Sequence, residues 1–477
     1  MEPVFILSLA LYAVTVATLG WLARRKAARS PEEYFLAGRA LGPLVLFMAL
    51  FGTNVTSFVL VGVPAKAFMD GLGTFSLNVP IVALGLPLSF WAIGVPARKA
   101  AIKWNALTPS ELYSKQLGSP AAGKWLFLFF SIYTLPYMVQ AVKGAAVTLE
   151  SVSDGAVSQT MGAGMVVALA LSYTWLGGMR ATAWTNVLQG SLFLAFMIAV
   201  LFLIPQEFGG WVSAFDQIAE RRPDLLTLPQ DGLFSKAAWT SWSLVIAITV
   251  VCFPHILARL MAAKSERALR AACLLYPPAT VLVWLPAVLL GVFAAVFLPE
   301  APSPDQVFAA TTSAWLPSWL ASLGFLAVLA AVMSTLDAQV LVLSSMLTRD
   351  VSGKSQAGKE VQQGRIFALL TAALVWFLAV QWGSSVFDIA ALAFSGYTVL
   401  APTLFFGLRW NRFGGRSAIA SMLAGNAVLF LCHFNIVNGG SWLPAWWGFW
   451  AAILAGFLFQ QPPSSKSNRD PLNTATA

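Results

Sequence analysis

The chain contains little charge for its length. Only 10% of its 477 residues are Asp, Glu, Lys or Arg and 58% are hydrophobic, whereas soluble proteins average about 25% charged residues. This shortage excludes a soluble globular protein and predicts an all-α integral membrane protein with about 13 transmembrane helices. The apolar runs of membrane-spanning length lie near 4–22, 43–68, 75–97, 125–149, 163–177, 186–204, 239–261, 271–298, 319–348, 366–381, 386–408, 417–435 and 443–460.

Cysteine and histidine are also scarce. Cys252, Cys273 and Cys432 all lie within predicted spans and lack CxxC spacing, which argues against a disulfide framework or a zinc site. His255 and His433 are the only histidines, and no Ser-His-Asp or paired-carboxylate arrangement suggests catalysis. The chain also lacks the GxxxxGK[ST] pattern of a phosphate-binding loop. We therefore expect no enzyme activity and no ATP site.

The distribution of basic residues predicts the orientation in the membrane. If the N-terminus is outside, 24 of the 29 Lys and Arg residues fall on inner loops. The positive-inside rule then places the N-terminus outside and the C-terminus in the cytoplasm. Because the basic residues are scattered over seven loops, the net charge of +9 indicates no nucleic-acid partner. The lipid bilayer of the plasma (inner) membrane is the expected surrounding.

The runs divide the chain into two sets of five helices with additions at both ends. Spans 2–6 and 7–11 begin on opposite sides of the membrane, which fits an inverted-repeat transporter. Gly52, Gly62, Pro64 and Pro254 favour broken helices, although glycine and proline also occur in ordinary membrane helices. The expected parts are an extra N-terminal helix and inner loop (1–42), the first repeat (43–204), an outer loop with a short amphipathic helix (205–238), the second repeat (239–408), two C-terminal helices (409–461) and a disordered cytoplasmic tail (462–477).

Polar side chains interrupt the ninth predicted span. Ser334 and Thr335 are adjacent, and Asp337 follows two residues later in an otherwise apolar stretch. Polar groups at membrane depth cost free energy, and they usually serve an ion or substrate path. With the segment FGTNVTSF near Asn54, this stretch favours a cation-coupled transporter.

Four segments together resemble the sodium/solute symporter family, which includes transporters of proline, sugars, sialic acid and pantothenate. They are EEYFLAGRALGP (32–43), WLGGMRATAWTNVLQG (175–190), FPHILARLMAAKSE (253–266) and VMSTLDAQVLVLSSMLTRD (332–350). The resemblance covers about residues 1–450. It implies a LeuT-like 5+5 inverted-repeat core, with one helix before the core and two after it. His255 lies in the family's PHxxxR motif, where a hydrogen bond at the helix end is expected and a proton relay is the alternative.

The same resemblance implies a sodium site between spans 2 and 9. Its oxygen ligands would be the carbonyls of Gly52, Val55 and Ala331 and the hydroxyls of Ser334 and Thr335. Na+ is a hard cation, and a broken helix can supply free carbonyls. The alternative is that both hydroxyls bond back to carbonyls one turn earlier in their own helix.

The chain departs from the family where many members carry an acidic residue in a WTDxxQ motif. Asn186 occupies that position here, while Asp337 brings a carboxylate into the same region from the other helix. One hypothesis is that Asp337, Asn186 and Ser334 hold a second cation or a proton. The alternative is that Asp337 pairs with a basic group such as Arg180 and has no role in transport.

The solute pocket is less readable from the sequence. Candidate residues from spans 2, 4, 7 and 11 are Asn54, Thr56, Ser57, Phe58, Gln140, Lys143, Trp242, Ser243, Thr249, Phe394, Ser395 and Tyr397. The aromatic members could gate the pocket or be plain core. Lys143 could extend to the outer surface, or face the cavity and favour an anionic solute. Lys66 is expected to pair with Asp70 at i, i+4.

Together these features predict a sodium-coupled secondary active symporter that imports a small polar organic solute by alternating access. One Na+ crossing 100 mV supplies about 2.3 kcal/mol. A tenfold gradient adds about 1.4 kcal/mol, and the sum supports roughly a 500-fold accumulation. A monomer would suffice, although an oligomer is possible. The alternatives are a proton-coupled symporter and a nutrient sensor that acts through a separate partner.

Overall fold

The computed structural model describes residues 3–27, 30–153, 155–298, 303–351 and 357–460. Helices and the loops between them account for these residues, and no β-strand occurs among them. The predicted cytoplasmic tail, 462–477, lies outside the described residues. The α-helices are α1 (Pro3–Ala27), α2 (Pro31–Leu36), α3 (Pro43–Asn54), α4 (Val63–Asp70), α5 (Gly73–Ser89), α6 (Val95–Lys103), α7 (Pro109–Gln116), α8 (Pro120–Val152), α9 (Gln159–Leu203), α10 (Gly210–Arg221), α11 (Lys236–Ile248), α12 (Pro254–Met261), α13 (Glu266–Phe297), α14 (Val307–Trp315), α15 (Ser318–Met346), α16 (Ala357–Gln381), α17 (Val386–Arg409), α18 (Gly415–His433) and α19 (Pro444–Leu458).

Each predicted span falls on one of these helices or on a group of consecutive helices. Nine helical segments of the described chain are long and apolar enough to cross a membrane, or ten if the bent pair α3 and α4 counts as one span. The helix α19, with 15 residues, is shorter. The all-helical membrane architecture is therefore confirmed, whereas the number of thirteen spans remains a prediction.

A broken helix stands where the second span is predicted. The helix α3 ends at Asn54, and Val55 is extended with φ −78° and ψ 110°. The chain resumes as a π-helical turn, Phe58–Gly62, that continues into α4. The hydroxyl of Thr56 accepts a hydrogen bond from the Phe58 N–H at 3.0 Å and so caps the second half. The two halves are bent by 53°.

The seventh predicted span is interrupted in a similar way. The helix α11 ends at Ile248, a short 3₁₀ turn follows, and Phe253 is extended with φ −66° and ψ 127° before α12 begins. Pro254 explains the break, because proline disfavours the helical conformation of the preceding residue and suits the first position of a helix. Both broken helices therefore expose backbone in the middle of the bundle.

The fifth and sixth predicted spans form one helical run, α9, that changes direction at Gly178. This glycine has φ +55°, and a Cβ atom added there would lie 2.4 Å from the carbonyl oxygen of Tyr34. Both the positive φ, with ψ −151°, and the close approach require glycine. The short connection that the sequence places between residues 177 and 186 therefore contains this turn.

The helix α15 lies at the centre of the bundle. Every residue from Gly324 to Met346 is buried, and α15 packs against α1, α3, α8, α9, α12 and α16. Its polar residues are therefore surrounded by other helices rather than by lipid. Nearer the surface, α10 lies in the segment where an amphipathic helix is predicted and buries Ala214 and Ile218. The expected ion pair of Lys66 with Asp70 is present at 2.6 Å.

The packing of α13 against α4 depends on Gly291. A Cβ atom at this position would lie 2.2 Å from the Pro64 carbonyl oxygen and 2.8 Å from the Phe68 nitrogen. Because these are backbone atoms, they cannot rotate away as a flexible side chain could.

We expect Gly291→Ala to lower the stability of the folded protein by about 1–3 kcal/mol, the usual effect of overpacking. The measurement is the melting temperature of the purified protein in detergent. The control is Gly383→Ala, because a Cβ atom added at Gly383 meets nothing within 4 Å. Equal melting temperatures for both variants would contradict this explanation of the packing.

Candidate ion and solute site

The hydroxyls of α15 lie against the broken end of α3. Ser334 Oγ lies 2.6 Å from the Gly52 carbonyl oxygen and 2.8 Å from that of Ala331. Thr335 Oγ1 lies 2.9 Å from the Thr53 carbonyl oxygen and 3.1 Å from that of Ala331. Both hydroxyls are completely buried. They share one side of α15 because positions three and four residues apart lie on the same face of a helix.

This arrangement brings together four of the five expected sodium ligands. The carbonyls of Gly52 and Ala331 meet the hydroxyls of Ser334 and Thr335, whereas the carbonyl that contacts Thr335 from the broken helix is that of Thr53. The Val55 N–H continues the helix by bonding to the Phe51 carbonyl at 3.0 Å. Thr53 was not among the expected ligands, although its position next to Gly52 could have suggested it. The donor set consists of neutral oxygen atoms, which suits Na+.

A buried polar network extends from this point to α9 and α12. Arg259 Nη1 donates to the Ala49 carbonyl oxygen at 2.6 Å, and Arg259 Nη2 lies 3.7 Å from Asp337 Oδ1. The other carboxylate oxygen of Asp337 accepts a hydrogen bond from the Tyr173 hydroxyl at 2.9 Å. When the Asn186 amide oxygen faces the guanidinium, it accepts from Nη2 at 3.0 Å, and the amide nitrogen donates to the Thr182 carbonyl oxygen at 2.8 Å. Four helices therefore meet around one guanidinium.

The partner of Asp337 is thus Arg259, and the expectation that Asp337 pairs with Arg180 is wrong. Arg180 instead binds Glu33, with 2.8 Å between Nη2 and Oε2. Arg259 belongs to the PHxxxR segment, but sequence reasoning gave it no role. A signal was available, because a completely buried arginine within a predicted span must find an opposite charge.

A second group of polar residues surrounds the break on the side of α8. Ser57 Oγ lies 3.0 Å from both the carbonyl oxygen and Oε1 of Gln140, and Gln140 Nε2 donates to Thr56 Oγ1 at 3.2 Å. All three side chains are completely buried, and Asn54 is 7% exposed. Tyr137 lies one turn before Gln140 on α8 and was missed, although the spacing of three residues places both on one face.

Aromatic rings cover this polar group toward the predicted outer face. Phe58 lies 5.2 Å from Phe387 and 5.1 Å from Phe394 between ring centroids, and Trp242 stacks on Phe387 at 5.7 Å. Tyr137 contacts Phe394 at 5.4 Å. Above the rings lies a cavity of about 470 Å³ whose wall includes Trp242, Phe387 and Ser395. Phe387 was not predicted, because one more phenylalanine in an apolar span gives no distinguishing signal.

Several predicted pocket residues do not join the group around Gln140. Lys143 Nζ donates to the Trp382 carbonyl at 3.1 Å and also to that of Ser384, so it reaches the loop before α17. Ser243 and Ser395 bond to carbonyls one turn earlier in their own helices. Thr249 Oγ1 donates to the Phe394 carbonyl at 3.1 Å, and Tyr397 bonds to Thr134. The placement of Lys143 favours the interpretation in which it extends to the surface.

His255 lies at the start of α12 between aromatic rings. Its ring centroid is 5.2 Å from Phe253 and 6.2 Å from Tyr137. Neither ring nitrogen has a hydrogen-bond partner among the described residues. The expected hydrogen bond at the helix end is therefore wrong for this histidine, because the ring points into the aromatic group instead of toward a carbonyl.

Charged residues close the predicted inner face. Arg349 binds Glu111 at 3.2 Å and Glu360 at 2.8 Å and so links the inner end of α15 to α7 and α16. Lys115 adds a contact of 2.8 Å to Glu111. Burial raises the pKa of the Glu111 carboxyl, but hydrogen bonds from Lys115 and the Leu107 N–H and the charge of Arg349 outweigh it, so the pKa is below its usual range. Glu111 therefore stays ionised near neutral pH.

Comparison with known proteins identifies the family. The model of the "Sodium:solute symporter family" matches residues 34–425. The chain belongs to this family. The predicted resemblance is thereby confirmed, and the protein is a transporter rather than an enzyme, with sodium as the coupling ion.

Individual relatives of this symporter extend over nearly the whole chain. It is 27% identical to a sodium/proline symporter of Haemophilus influenzae, covering 93% of this chain and 91% of the relative. It is also 27% identical to a sodium/pantothenate symporter of the same organism, covering 82% of each. The structure of a Na+-coupled sialic acid symporter in a substrate-bound outward-open state covers 96% of the chain, with a TM-score of 0.81 and 15% identity. That likeness supports the predicted LeuT-like fold.

The aromatic cover predicts how accessible the polar group is in this symporter. In a variant without the native cysteines, we expect Ser395→Cys to react quickly with a water-soluble thiol reagent and Ser57→Cys to react slowly, because the rings separate Ser57 from the cavity. Adding Phe387→Ala should increase the rate at Ser57→Cys roughly tenfold, equivalent to about 1.4 kcal/mol.

The control for this experiment is Phe434→Ala, because Phe434 is 67% exposed and lies outside the cover. The cover would be disproved if Ser57→Cys reacted as fast as Ser395→Cys before any ring is removed.

Proposed function

We propose that this chain is a symporter that imports a small organic solute carrying a carboxylate, together with sodium, by alternating access. One observation carries the proposal: the Ser334 and Thr335 hydroxyls of the unbroken α15 face the Gly52 and Thr53 carbonyls at the break. This is the one place in the described chain where backbone freed by a helix break meets buried hydroxyls of α15.

Sodium would bind between these two helices. The hydroxyls of Ser334 and Thr335 and the carbonyls of Gly52 and Ala331 are proposed as ligands, with the Val55 carbonyl as the fifth and the Thr53 carbonyl as an alternative to it. Each hydroxyl lies within hydrogen-bond distance of a carbonyl of α3 and of the Ala331 carbonyl in its own helix. A cation would turn the same oxygens toward itself and hold the broken helix against α15.

The solute is proposed to bind beside the break, at Thr56, Ser57, Phe58, Gln140 and Tyr137. The helical run that starts at Phe58 directs the positive end of its dipole toward this point, and such an end favours a carboxylate. Proline, pantothenate and sialic acid, the solutes in the names of the similar proteins, all carry a carboxylate. The ring of Trp242 would cover the solute from the cavity side.

Alternating access would open each side in turn. The aromatic rings separate the polar group from the predicted outer face, and the Arg349 cluster closes the predicted inner face. We propose that sodium favours the outward-facing state by joining α3 to α15. By linkage, sodium then raises the affinity for the solute, and the solute raises the affinity for sodium equally. The proposed orientation keeps the N-terminus outside and the C-terminus in the cytoplasm of a bacterial inner membrane.

The hydroxyl ligands provide the first test. Ser334→Ala and Thr335→Val should each raise the sodium concentration for half-maximal uptake at least about tenfold, since a hydrogen-bonding group that contacts a charge contributes about 1.5–3 kcal/mol. The matched control is Ser345→Ala on the same helix. Within the described part of the chain, this buried hydroxyl bonds only to the Val342 carbonyl, at 2.7 Å. Unchanged sodium dependence in the double variant would refute the site.

The second test concerns the solute and the coupling ion. In proteoliposomes, proline or pantothenate should accumulate under an inward sodium gradient and should not when choline replaces sodium at fixed pH. The melting temperature of the purified protein should rise with the transported solute, and more so with sodium present. Sodium-dependent binding without accumulation would instead indicate a sensor, and accumulation in choline would indicate proton coupling.

A further inference from the structure

A buried ion pair lies close to the proposed sodium ligands. Asp337 follows Thr335 by two residues on α15, and its carboxylate is 3.7 Å from the guanidinium of Arg259 on α12. The side chains of both residues are 0% exposed. The sequence left open whether this carboxylate holds a second cation, a proton or a basic side chain. The geometry favours the basic side chain, Arg259.

The guanidinium already uses the groups that a second cation would need. With its amide oxygen turned to the guanidinium, Asn186 accepts from Arg259 Nη2 at 3.0 Å and also from Nη1. Asp337 Oδ2 accepts from the Tyr173 hydroxyl at 2.9 Å, while its Oδ1 faces the guanidinium. Of the three groups proposed for a second ion, Asp337 and Asn186 therefore face a cation that is covalently part of the chain. The third, Ser334, lies against the carbonyls of Gly52 and Ala331.

The charge balance gives the same result. Asn186 is neutral, so Asp337 and Arg259 together carry no net charge. A second Na+ at Asp337 would thus lie next to both the Arg259 guanidinium and the first ion, with no further carboxylate to balance its charge, which is strongly unfavourable.

We propose that Arg259 acts as a built-in cation in place of a second coupling ion, so that this symporter binds one sodium ion per transport cycle. The inference rests on the proposed function, because it takes the site at Ser334 and Thr335 as the one that binds sodium. It assigns Asp337 and Asn186 to the guanidinium, and the residues present do not fit a second sodium. Arg259 and Asp337 also join the broken span of α11 and α12 to the unbroken α15.

Sodium binding alone tests this inference, without a known solute. The full-length protein is purified, and bound ²²Na+ per chain is measured at saturation, with choline keeping the ionic strength constant. We expect one sodium per chain. Two per chain would overturn the inference and leave the proposed function intact, whereas no saturable binding would contradict both.

Changing the charge balance provides the second part of the experiment. Asn186→Asp keeps the ion pair and adds one carboxylate, so bound sodium should rise twofold, from one to two per chain. Arg259→Gln removes the guanidinium and should have the same effect, because Asp337 then lacks a counter-ion. The double variant Arg259→Gln with Asp337→Asn is neutral again and should return to one. A folded Asn186→Asp variant that still binds one sodium would refute the inference.

The third part of the experiment moves the carboxylate from position 337 to position 186. Asp337→Asn leaves Arg259 buried without an opposite charge and should lower the melting temperature. Adding Asn186→Asp to it places a carboxylate where the amide oxygen now contacts Nη2. The melting temperature should then recover while bound sodium stays at one per chain. A purely structural effect of Asp337 would give no recovery, and that result would contradict the pairing.

Discussion

The structure depends on how the backbone freed by a helix break is satisfied inside hydrocarbon. Between Asn54 and Phe58 the helical ladder stops in a region without water, where each unpaired polar group costs several kcal/mol, roughly 2–7. Buried hydroxyls reduce this cost by hydrogen bonding to the free backbone groups. Thr56 caps the second half of the broken helix, and Ser334 and Thr335 lie against carbonyls of the first half. The central position of α15 follows, because its polar face must lie against the break and its apolar faces against the other helices.

The same requirement explains why the break and the ion pair are neighbours. Arg259 donates to the Ala49 carbonyl on α3, one turn before the end of that helix, and faces Asp337 on α15. Thr53, on the same turn as Gly52, reaches the Asn186 amide. The backbone of α3, the guanidinium of Arg259 and the polar side chains of α9 and α15 therefore form one connected set of contacts. A shift of α3 relative to α15 must rearrange all of them together.

Much of the fold could be predicted from the sequence, because its signals are local. Apolar runs of sufficient length located the helices, and Pro254 together with the glycines near residue 52 indicated where two of them break. The turn at Gly178 was less visible, since the need for glycine arises from Tyr34, far away in the sequence. The number of spans was hard to fix for the same reason: whether a long helical run crosses once or turns depends on contacts that no local pattern records.

The site was predicted as far as its residues follow a motif. Gly52, Ala331, Ser334 and Thr335 meet as the resemblance implied, although their binding of sodium stays a proposal. Pairings between distant helices were not predictable, so Arg259 was missed as the partner of Asp337. Lys143 and His255 show a second limit of prediction, which concerns the direction of a side chain. The direction of each side chain is set by contacts with distant or neighbouring groups, which are the loop before α17 for Lys143 and the ring of Phe253 for His255.

The group of oxygen atoms at Gly52, Ala331, Ser334 and Thr335 contains no formal charge of its own. A neutral shell attracts a monovalent ion only moderately, and a carrier benefits from that, because an ion that is held too tightly cannot leave into a compartment where it is dilute. Occupancy of such a shell then follows the abundance of the ion outside and the voltage across the bilayer. The sodium supply of the habitat would thereby influence the speed of uptake directly.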